Sequence, residues 1–286
     1  MKNIGAVILD YKSHEQVIEL CNLLMSFNIF NKLVIVNNTL DKFNYGFDKN
    51  ILIIENQKNL GYGKAINVGI KSLLSYSMID LFLLINSDIK VSKETILSCA
   101  DHIDNKHPIS SCLMRDTSDV IDQTFWNLPR KKDYFKNCFY FSQCRFVHKR
   151  KRNAIIAYEK SKNRIIEVDA VRESFMLLDS NFIRKYGPLF DENIFMYCEA
   201  DSIAFNLKQK ELKINCILDE SYFHYHKYTN AYKNSYYIQS SKYILIKYLH
   251  AKFLTIVFYD LLFFLGNIER FFIHLFVKLK RKIHGK

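Results

Sequence analysis

Polar side chains follow three short apolar runs in the first ninety residues, at positions 4–9, 33–36 and 81–85. These polar groups are Asp10-Tyr11, Asn37-Asn38 and Asn86-Ser87-Asp88. Carboxylate and amide oxygens at the carboxyl ends of buried strands can bind a divalent cation and the diphosphate that it neutralises. The alternative for each group taken alone is a turn or a helix cap.

Residues 59–69 read Asn-Leu-Gly-Tyr-Gly-Lys-Ala-Ile-Asn-Val-Gly and hold three of the eight glycines of the chain. Glycine lets the backbone pass close to a ligand, and Asn67 offers side-chain hydrogen bonds at the start of a helix. The segment has neither the Walker lysine pattern nor GxGxxG spacing, so it predicts neither a P-loop nor a dinucleotide fingerprint. An ordinary strand-to-helix turn with a close helix crossing is the alternative.

The first hundred residues alternate between continuous apolar runs and segments with helical spacing, at about 14–30 and 63–74. This alternation predicts an α/β fold with a Rossmann-like, mostly parallel central sheet flanked by helices. From 110 to 168 the pattern weakens around the basic run 145–152, which we interpret as an irregular, positively charged excursion. Later segments predict a strand at 175–178, a helix at 200–210 and a helical C-terminal extension from about 236.

The 286 residues are 49% hydrophobic and 24% charged, which excludes disorder for most of the chain. The net charge of +12 favours an anionic partner: nucleic acid, a phosphorylated small molecule or the inner leaflet of a membrane. Seven cysteines without a CxxC pair predict reduced thiols in the cytoplasm, with neither a zinc site nor disulfides. The first residues are typical of a strand and not of a signal peptide.

The order of these motifs resembles the family 2 glycosyltransferases, especially the bacterial rhamnosyltransferase-like members that build surface polysaccharides. The segments that carry the resemblance are DYKS, VNN, NLGYGKAINVGI, LLINSDI and GPLFDENIFMYCEAD, spread over roughly residues 4–226. The resemblance implies a GT-A catalytic domain over 1–232, with a nucleotide-sugar half at 1–100 and an acceptor half at 101–232. Residues 233–286 then form a C-terminal amphipathic helical region.

The resemblance also implies roles for particular residues. It places Asp10 and Tyr11 on the nucleoside, Asn37 on the base, and four residues of the glycine-rich segment on the nucleotide and its phosphates. Those four residues are Asn59, Gly61, Lys64 and Asn67. Asn86-Ser87-Asp88 stands in for the DxD motif, so Asp88 would bind Mg²⁺ or Mn²⁺. His224 resembles the late histidine that approaches the metal and diphosphate, with His226 as a rival.

Three departures from the family pattern concern the base, the acceptor side and the catalytic carboxylate. Asn37 replaces the usual Asp, and Glu173 stands where a small residue is common. Glu199-Ala200-Asp201 replaces an adjacent Glu-Asp pair, so both Glu199 and Asp201 are candidates for the general base. Acidic residues that favour the N-terminus of a helix are the alternative for this pair.

The implied reaction is an inverting displacement that moves a sugar from a nucleotide-sugar donor to a lipid-linked glycan acceptor of the bacterial cell surface. One alternative is a non-catalytic nucleotide- or glycan-binding relative. Another is a basic protein that binds nucleic acid or membrane. We do not expect nucleic acid as a partner, because no nucleic-acid motif accompanies the run 145–152.

The C-terminal region is amphipathic from residue 252 to 281. Projected at 100° per residue, seven polar side chains fall within one sector of about 80°. They are Lys252, Asp260, Asn267, Arg270, His274, Lys278 and Arg281. This pattern predicts a helix in the plane of the membrane, so we expect a cytoplasmic protein bound peripherally to the inner face. The alternative is a helix packed on the catalytic domain or on a second subunit of an oligomer.

Overall fold

The computed structural model describes residues 2–43, 49–225 and 235–283. Its first half contains four neighbouring parallel strands, with two helices that connect them on opposite faces. The strands are β1 (Ile4–Asp10), β2 (Phe30–Asn37), β3 (Ile51–Glu55) and β4 (Leu81–Asn86), and the helices are α1 (His14–Ser26) and α2 (Tyr62–Leu74). The strand order is β3-β2-β1-β4, so the direction of winding changes beside β1.

The second half extends the same sheet to nine strands. Its strands are β5 (Ile89–Lys90), β6 (Ile109–Arg115), β8 (Ile165–Val168), β10 (Phe175–Asp179) and β11 (Ile214–His224), with β7 (Phe125–Trp126) and β9 (Ala170–Val171) forming a separate pair. β10 runs antiparallel to both β4 and β6, and β5 and β8 run antiparallel to β11. The sheet is therefore mixed, and six of its nine described strands share one direction.

Both faces of the sheet are buried, which explains the continuous apolar runs. On β1, Val7 packs in the cluster that contains Ile66 of α2, whereas Ile8 packs in the cluster that contains Leu20 of α1. A strand covered on both sides needs apolar residues at consecutive positions, and it loses the alternation of a solvent-exposed strand. The predicted α/β class is confirmed.

The expectation of an irregular excursion around residues 145–152 is wrong. The remaining helices that precede the C-terminal region are α3 (Lys93–Asp101), α4 (Lys131–Lys136), α5 (Tyr140–Lys160), α6 (Ser180–Tyr186) and α7 (Glu199–Gln209). The basic run lies within α5, where Ala154 is buried while Arg145, Lys149 and Arg152 are exposed. A surface helix with so narrow a contact stripe leaves little periodicity in the sequence.

The C-terminal helices α8 (Ser235–Lys247) and α9 (Phe253–Ile283) pack against α4 and α7 through a third core, which includes Tyr134, Phe205 and Ile244. Asp191 anchors α8, because its carboxylate accepts hydrogen bonds from Lys247 Nζ at 2.7 Å and from Tyr248 Oη at 2.8 Å. The C-terminal region is therefore joined to the rest of the fold by both apolar and charged contacts.

Helix α9 has a packed face and an exposed apolar face. One is a narrow packed stripe at spacings of three and four residues, in which Tyr259, Phe263 and Arg270 are buried and Gly266 touches the Cys138 carbonyl. The other is an exposed face of twelve side chains that span an arc of about 140°. They are Phe253, Leu254, Val257, Phe258, Leu261, Phe264, Leu265, Ile268, Phe271, Phe272, Leu275 and Phe276. Among the described helices, none is long and apolar enough to cross a bilayer.

Candidate active site

A cleft of about 390 Å³ lies at the carboxyl ends of β1 and β4, where the winding of the sheet changes direction. Open α/β sheets bind their ligands at this point, because the loops diverge there. We call it the edge cleft. It is lined by Leu9, Tyr11, Lys12, Ser13, Gln16, Asn38, Asn59, Gly61, Tyr62, Asn86, Ser87, Asp88 and Met196.

Asp88 lines the edge cleft and contacts His224, which does not itself line the cleft. The pairing of β5 with β11 sets His224 beside Ile89, and its Nε2 lies 3.1 Å from Asp88 Oδ1. A carboxylate oxygen and an imidazole nitrogen are suitable ligands for Mn²⁺, and the carboxylate also suits Mg²⁺. No group of three or more His, Cys, Asp or Glu that could hold a metal ion occurs among the described residues. The pair therefore fits a cation that takes its other ligands from a diphosphate and water. His226 lies outside the described residues.

The glycine-rich segment borders the edge cleft and is held there by Asn38. The side chain of Asn38 accepts a hydrogen bond from the Leu60 N–H at 2.9 Å and donates to Asn59 Oδ1 at 2.9 Å. Gly61 has a φ of 82°, and a Cβ on it would lie 2.2 Å from the Phe195 carbonyl oxygen. Only glycine fits this position, because the backbone of Phe195 passes too close for a side chain.

Two predicted nucleotide contacts stabilise the loops beside the edge cleft and do not line it. The Asp10 carboxylate is fully buried, accepts hydrogen bonds from the Ser13 N–H and hydroxyl at 2.9 and 3.0 Å, and contacts His14 Nδ1. Asn37 is also fully buried and donates to Glu55 Oε2 at 2.6 Å. Their neighbours Tyr11 and Asn38 line the cleft instead.

Lys64 and Asn67, on α2, connect to the segment before α7. Asn67 Nδ2 donates to the Phe190 carbonyl at 2.9 Å, and its Oδ1 accepts from the Phe190 N–H at 3.2 Å. Lys64 Nζ lies 3.5 Å from Glu192 Oε2. Of the predicted nucleotide and metal residues, the structure therefore gathers Tyr11, Asn59, Gly61, Asn86 and Asp88 in the edge cleft, with His224 reaching Asp88.

A second cavity of about 330 Å³ lies between α4, α5 and the start of α7. We call it the arginine cavity, after Arg150 and Arg172 in its wall. Asp201 lines it and is held by two donors: Trp126 Nε1 lies 2.9 Å from Asp201 Oδ1, and Tyr134 Oη lies 2.7 Å from Oδ2. The sequence pattern identified Asp201 but neither of its two hydrogen-bond donors, because Trp126 and Tyr134 come from other segments of the chain.

Glu199 lies at the first position of α7, immediately after Tyr197 and Cys198, which both have positive φ values. Its side chain is buried. Burial and the Glu173 carboxylate raise its pKa to about 8, although the backbone N–H groups of Glu199 and Tyr197 act to lower it. Near neutral pH this carboxyl is poised between its acid and base forms.

Tyr62 connects the two cavities. Its Oη lies 3.0 Å from Asn86 Oδ1 in the edge cleft and 2.8 Å from the carbonyl oxygen of Glu173, a residue that lines the arginine cavity. Burial raises the pKa of Tyr62, and the negative charges of Glu173, Glu199 and Asp88 raise it further. The acidic residues of both cavities therefore act on one buried hydroxyl.

No family model matches the chain, and no curated protein is similar to it in sequence. Among solved structures, it is similar to GalNAc-T7 with UDP, GalNAc and Mn²⁺, with a TM-score of 0.60 and 9% identity over 86% of this chain. The chain spans about half of that protein, 48% of its length. The mannosyltransferase PcManGT from Pyrobaculum calidifontis, in complex with GDP-Man and Mn²⁺, has a TM-score of 0.53 and 9% identity, over 90% of this chain and 68% of that one. The chain has the GT-A fold.

The two cavities approach each other near the start of α7: Met196 lines the edge cleft, and Cys198, Ala200 and Asp201 line the arginine cavity. The predicted fold class is confirmed, including the helical extension at the C-terminus. The residue assignments stay predictions, because identities of 9% define the fold and not the roles of side chains.

Proposed function

We propose that the protein is a metal-dependent glycosyltransferase that moves a sugar from a nucleotide-sugar donor to a glycan acceptor. The observation that carries this proposal is the Asp88–His224 pair, whose aspartate lines the edge cleft, together with a second cavity that Asp201 lines at the start of α7. Both similar solved structures are enzymes captured with a nucleotide or nucleotide sugar and Mn²⁺.

The edge cleft would hold the donor. Asp88 and His224 would bind Mg²⁺ or Mn²⁺, and the bound ion would neutralise charge on the diphosphate as it leaves. Tyr11, which is 46% exposed, offers an aromatic face for the base, and Lys12 adds a positive charge at the rim. Asn59 and Gly61 border the same space and contribute polar groups for the nucleotide.

Glu199 is our choice for the general base. Both oxygens of Asp201 already accept hydrogen bonds from Trp126 and Tyr134, which favours a positioning role for Asp201. Glu199 has a pKa of about 8. A general base is most effective when its pKa lies near the working pH. In its ionised form it would take the proton of the acceptor hydroxyl, which then attacks the anomeric carbon from the face opposite the diphosphate. A single displacement of this kind inverts the anomeric configuration.

The exposed face of α9 supports a peripheral position on a membrane, with a lipid-linked bacterial surface glycan as the acceptor. A soluble monomer seldom exposes a continuous apolar surface of this extent, and the helix ends in the basic run Lys278-Leu-Lys-Arg-Lys282. Apolar burial and attraction to anionic lipid would then hold the inner membrane face against α9. Sedimentation with anionic vesicles tests this part of the proposal.

Binding of UDP and GDP in the presence and absence of Mn²⁺, measured by calorimetry, tests the donor site. We expect one nucleotide to bind in a metal-dependent way, and we expect Asp88→Asn to weaken that binding by about tenfold or more. Asp101→Asn, an exposed carboxylate at the end of α3, is the matched control and should change nothing. Equal nucleotide affinity in wild type and Asp88→Asn would contradict the metal assignment. Hydrolysis of a bound nucleotide sugar separates an enzyme from a non-catalytic relative.

A further inference from the structure

Two arginines in the arginine cavity lie against the same indole ring. The guanidinium carbon of Arg150 is 3.9 Å from the centroid of Trp126 and 4.3 Å from that of Phe146. The guanidinium carbon of Arg172 is 5.9 Å from the centroid of Trp126. Contact with an aromatic face orients a guanidinium group without neutralising it. Trp126 therefore directs two positive charges towards one cavity.

Arg150 faces the cavity because of its position on α5. Gln143, Phe146, Val147 and Arg150 line the cavity and follow the spacing of one helix face. Of the other basic residues of this segment, Arg145, Lys149 and Arg152 are exposed to solvent, and Lys151 forms a salt bridge with Asp116 at 3.3 Å. One side chain of the basic run therefore belongs to the cavity, whereas the three exposed ones belong to the surface.

Arg172 carries a positive charge for which the described residues provide no salt-bridge partner. Its Nε is buried and has no hydrogen-bond partner in the part of the chain that the structure describes, and Arg172 forms no salt bridge there. Leaving a buried polar donor unsatisfied is unfavourable, and a buried positive charge favours an anion nearby. This side chain is thus suited to an anionic group that no described residue supplies.

Of the three carboxylates that line the cavity, Asp201 and Asp133 accept hydrogen bonds from other residues. Asp201 accepts hydrogen bonds from Trp126 and Tyr134, and Asp133 Oδ2 accepts one from the Arg130 N–H at 2.9 Å. Glu173 acts on the buried Glu199, whose pKa it raises. The wall of the cavity therefore combines a pair of oriented guanidinium groups with a carboxylate, Asp201, that is held in place by neutral donors.

We infer that the arginine cavity binds the acceptor, and that this acceptor is a sugar bearing an oxyanion, either a carboxylate or a phosphate, held by Arg172 and Arg150. The inference rests on the proposed function, because Asp201 lines this cavity and Glu199, the proposed general base, lies two residues before it on α7. A guanidinium group binds either oxyanion through two parallel hydrogen bonds, which gives both affinity and orientation. The two arginines would select acidic acceptors and set the angle of the attacking hydroxyl.

Calorimetric titration with three matched glycosides tests this inference. The probes are methyl glucoside, its 6-carboxylate and its 6-phosphate, each added to the full-length protein saturated with Mn²⁺ and the nucleoside diphosphate that it binds. We expect the two acidic glycosides to bind at least about tenfold more tightly than methyl glucoside, because charge-assisted hydrogen bonds form only with them. Inorganic phosphate should bind more weakly than the sugar phosphate, since it lacks the ring.

Arginine variants locate the effect. Arg172→Gln and Arg150→Gln should each reduce the preference for acidic glycosides to about threefold or less. Arg172→Lys, which keeps the charge but not the planar fork, should retain part of it and serves if the glutamine variant does not fold. Arg152→Gln, an exposed residue of the same helix, is the matched control and should keep the full preference.

Several results would overturn the inference. They are equal binding of the neutral and acidic glycosides, no binding of any acidic glycoside, an undiminished preference in Arg172→Gln and Arg150→Gln, and binding of inorganic phosphate as tight as that of the sugar phosphate. Nucleotide binding is measured in the same samples. Loss of nucleotide binding with an intact acidic preference would overturn the proposed donor site and leave the anion site standing, whereas the reverse pattern would overturn only the anion site.

Discussion

The edge cleft and the arginine cavity lie on one fold but are built in different ways. The edge cleft takes most of its lining from residues that directly follow β1, β2 and β4, or directly precede α2. The arginine cavity draws Trp126, Tyr134, Arg150, Arg172 and Asp201 from five separate elements or their flanks. A site at strand ends follows from the order of strands, whereas a site between helices depends on how those helices pack.

Glu199→Gln is the strongest test of the general base proposed at the start of α7. If Glu199 is the general base, turnover should fall by about a hundredfold or more while nucleotide binding is retained. Wild-type turnover should rise with pH through about 8, since the carboxyl must ionise to accept a proton. Steady-state kinetics over pH 6 to 9 provide the measurement. Turnover close to that of wild type would move the base away from Glu199.

The same substitution should lower turnover but raise the stability of the protein at high pH. Burial raises the pKa of Glu199 from 4.5 to about 8, so this group's contribution to folding is fully present below pH 4.5 and is lost as the pH rises through about 8. Glu199→Gln cannot ionise and should flatten that decline. Melting temperatures of both proteins between pH 5 and 9 should therefore converge at low pH and separate at high pH, with the variant higher.

Phe263 and Phe264 compare the two faces of α9 at adjacent positions. Phe263 is 4% exposed on the packed stripe, whereas Phe264 is 61% exposed. Phe263→Ser should destabilise the protein by about 3 kcal/mol, because it leaves a cavity against α4 and α8. Phe264→Ser should change stability by less than about 0.5 kcal/mol.

The same pair of variants tests the membrane surface. Phe264→Ser should weaken binding to anionic vesicles by about tenfold, which is the loss expected when one phenylalanine no longer enters the bilayer. Vesicle co-sedimentation and thermal melting measure the two effects. If the exposed face instead binds a second copy of the chain, Phe264→Ser would shift the oligomeric state and leave vesicle binding unchanged.

Gly61→Ala tests the glycine-rich segment of the edge cleft. Gly61 and Gly187 have similar positive φ values of 82° and 87°, but an added Cβ meets the Phe195 carbonyl at Gly61 and nothing within 4 Å at Gly187. Gly187→Ala should cost about 1 kcal/mol for backbone strain alone. Gly61→Ala should cost about 2 kcal/mol more and weaken nucleotide binding. Equal losses in chemical denaturation would show that the contact with Phe195 yields easily.

Asp191→Asn tests how α8 is attached beside the arginine cavity. Burial acts to raise the pKa of Asp191, but hydrogen bonds from Lys247 and Asn193 outweigh it and lower the pKa from 3.8 to about 2. The stabilisation is present above pH 3.8 and is lost as the pH falls through about 2. At neutral pH the variant should be about 1 kcal/mol less stable, after allowance for solvent screening. Denaturation at pH 7 and pH 2.5 should show a smaller difference at the lower pH.

Local sequence determined the sheet and the position of the edge cleft. Continuous apolar runs such as residues 81–85 require a strand buried on both faces, and the polar residues that follow must then lie at its carboxyl edge. Asp88 could be identified in this way, because its distance from the strand end is set by the chain itself. The weak pattern around residue 150 concealed α5, since a surface helix with a narrow contact stripe produces little amphipathic signal.

Tertiary structure decided which member of each polar group lines the edge cleft. Asp10 forms hydrogen bonds within its own loop and Asn37 donates one to Glu55 of β3, whereas Tyr11 and Asn38 line the edge cleft, and no rule of composition distinguishes these neighbours. The choice between them depends on partners distant in the chain, as does the pairing of His224 with Asp88 across 136 positions. Arg150, Arg172 and Trp126 likewise share a cavity only because α5, β7 and β9 pack together. Spacing along the chain sets the distance between residues that are close in sequence. Residues that are far apart in sequence come into contact only once the helices have packed on the sheet.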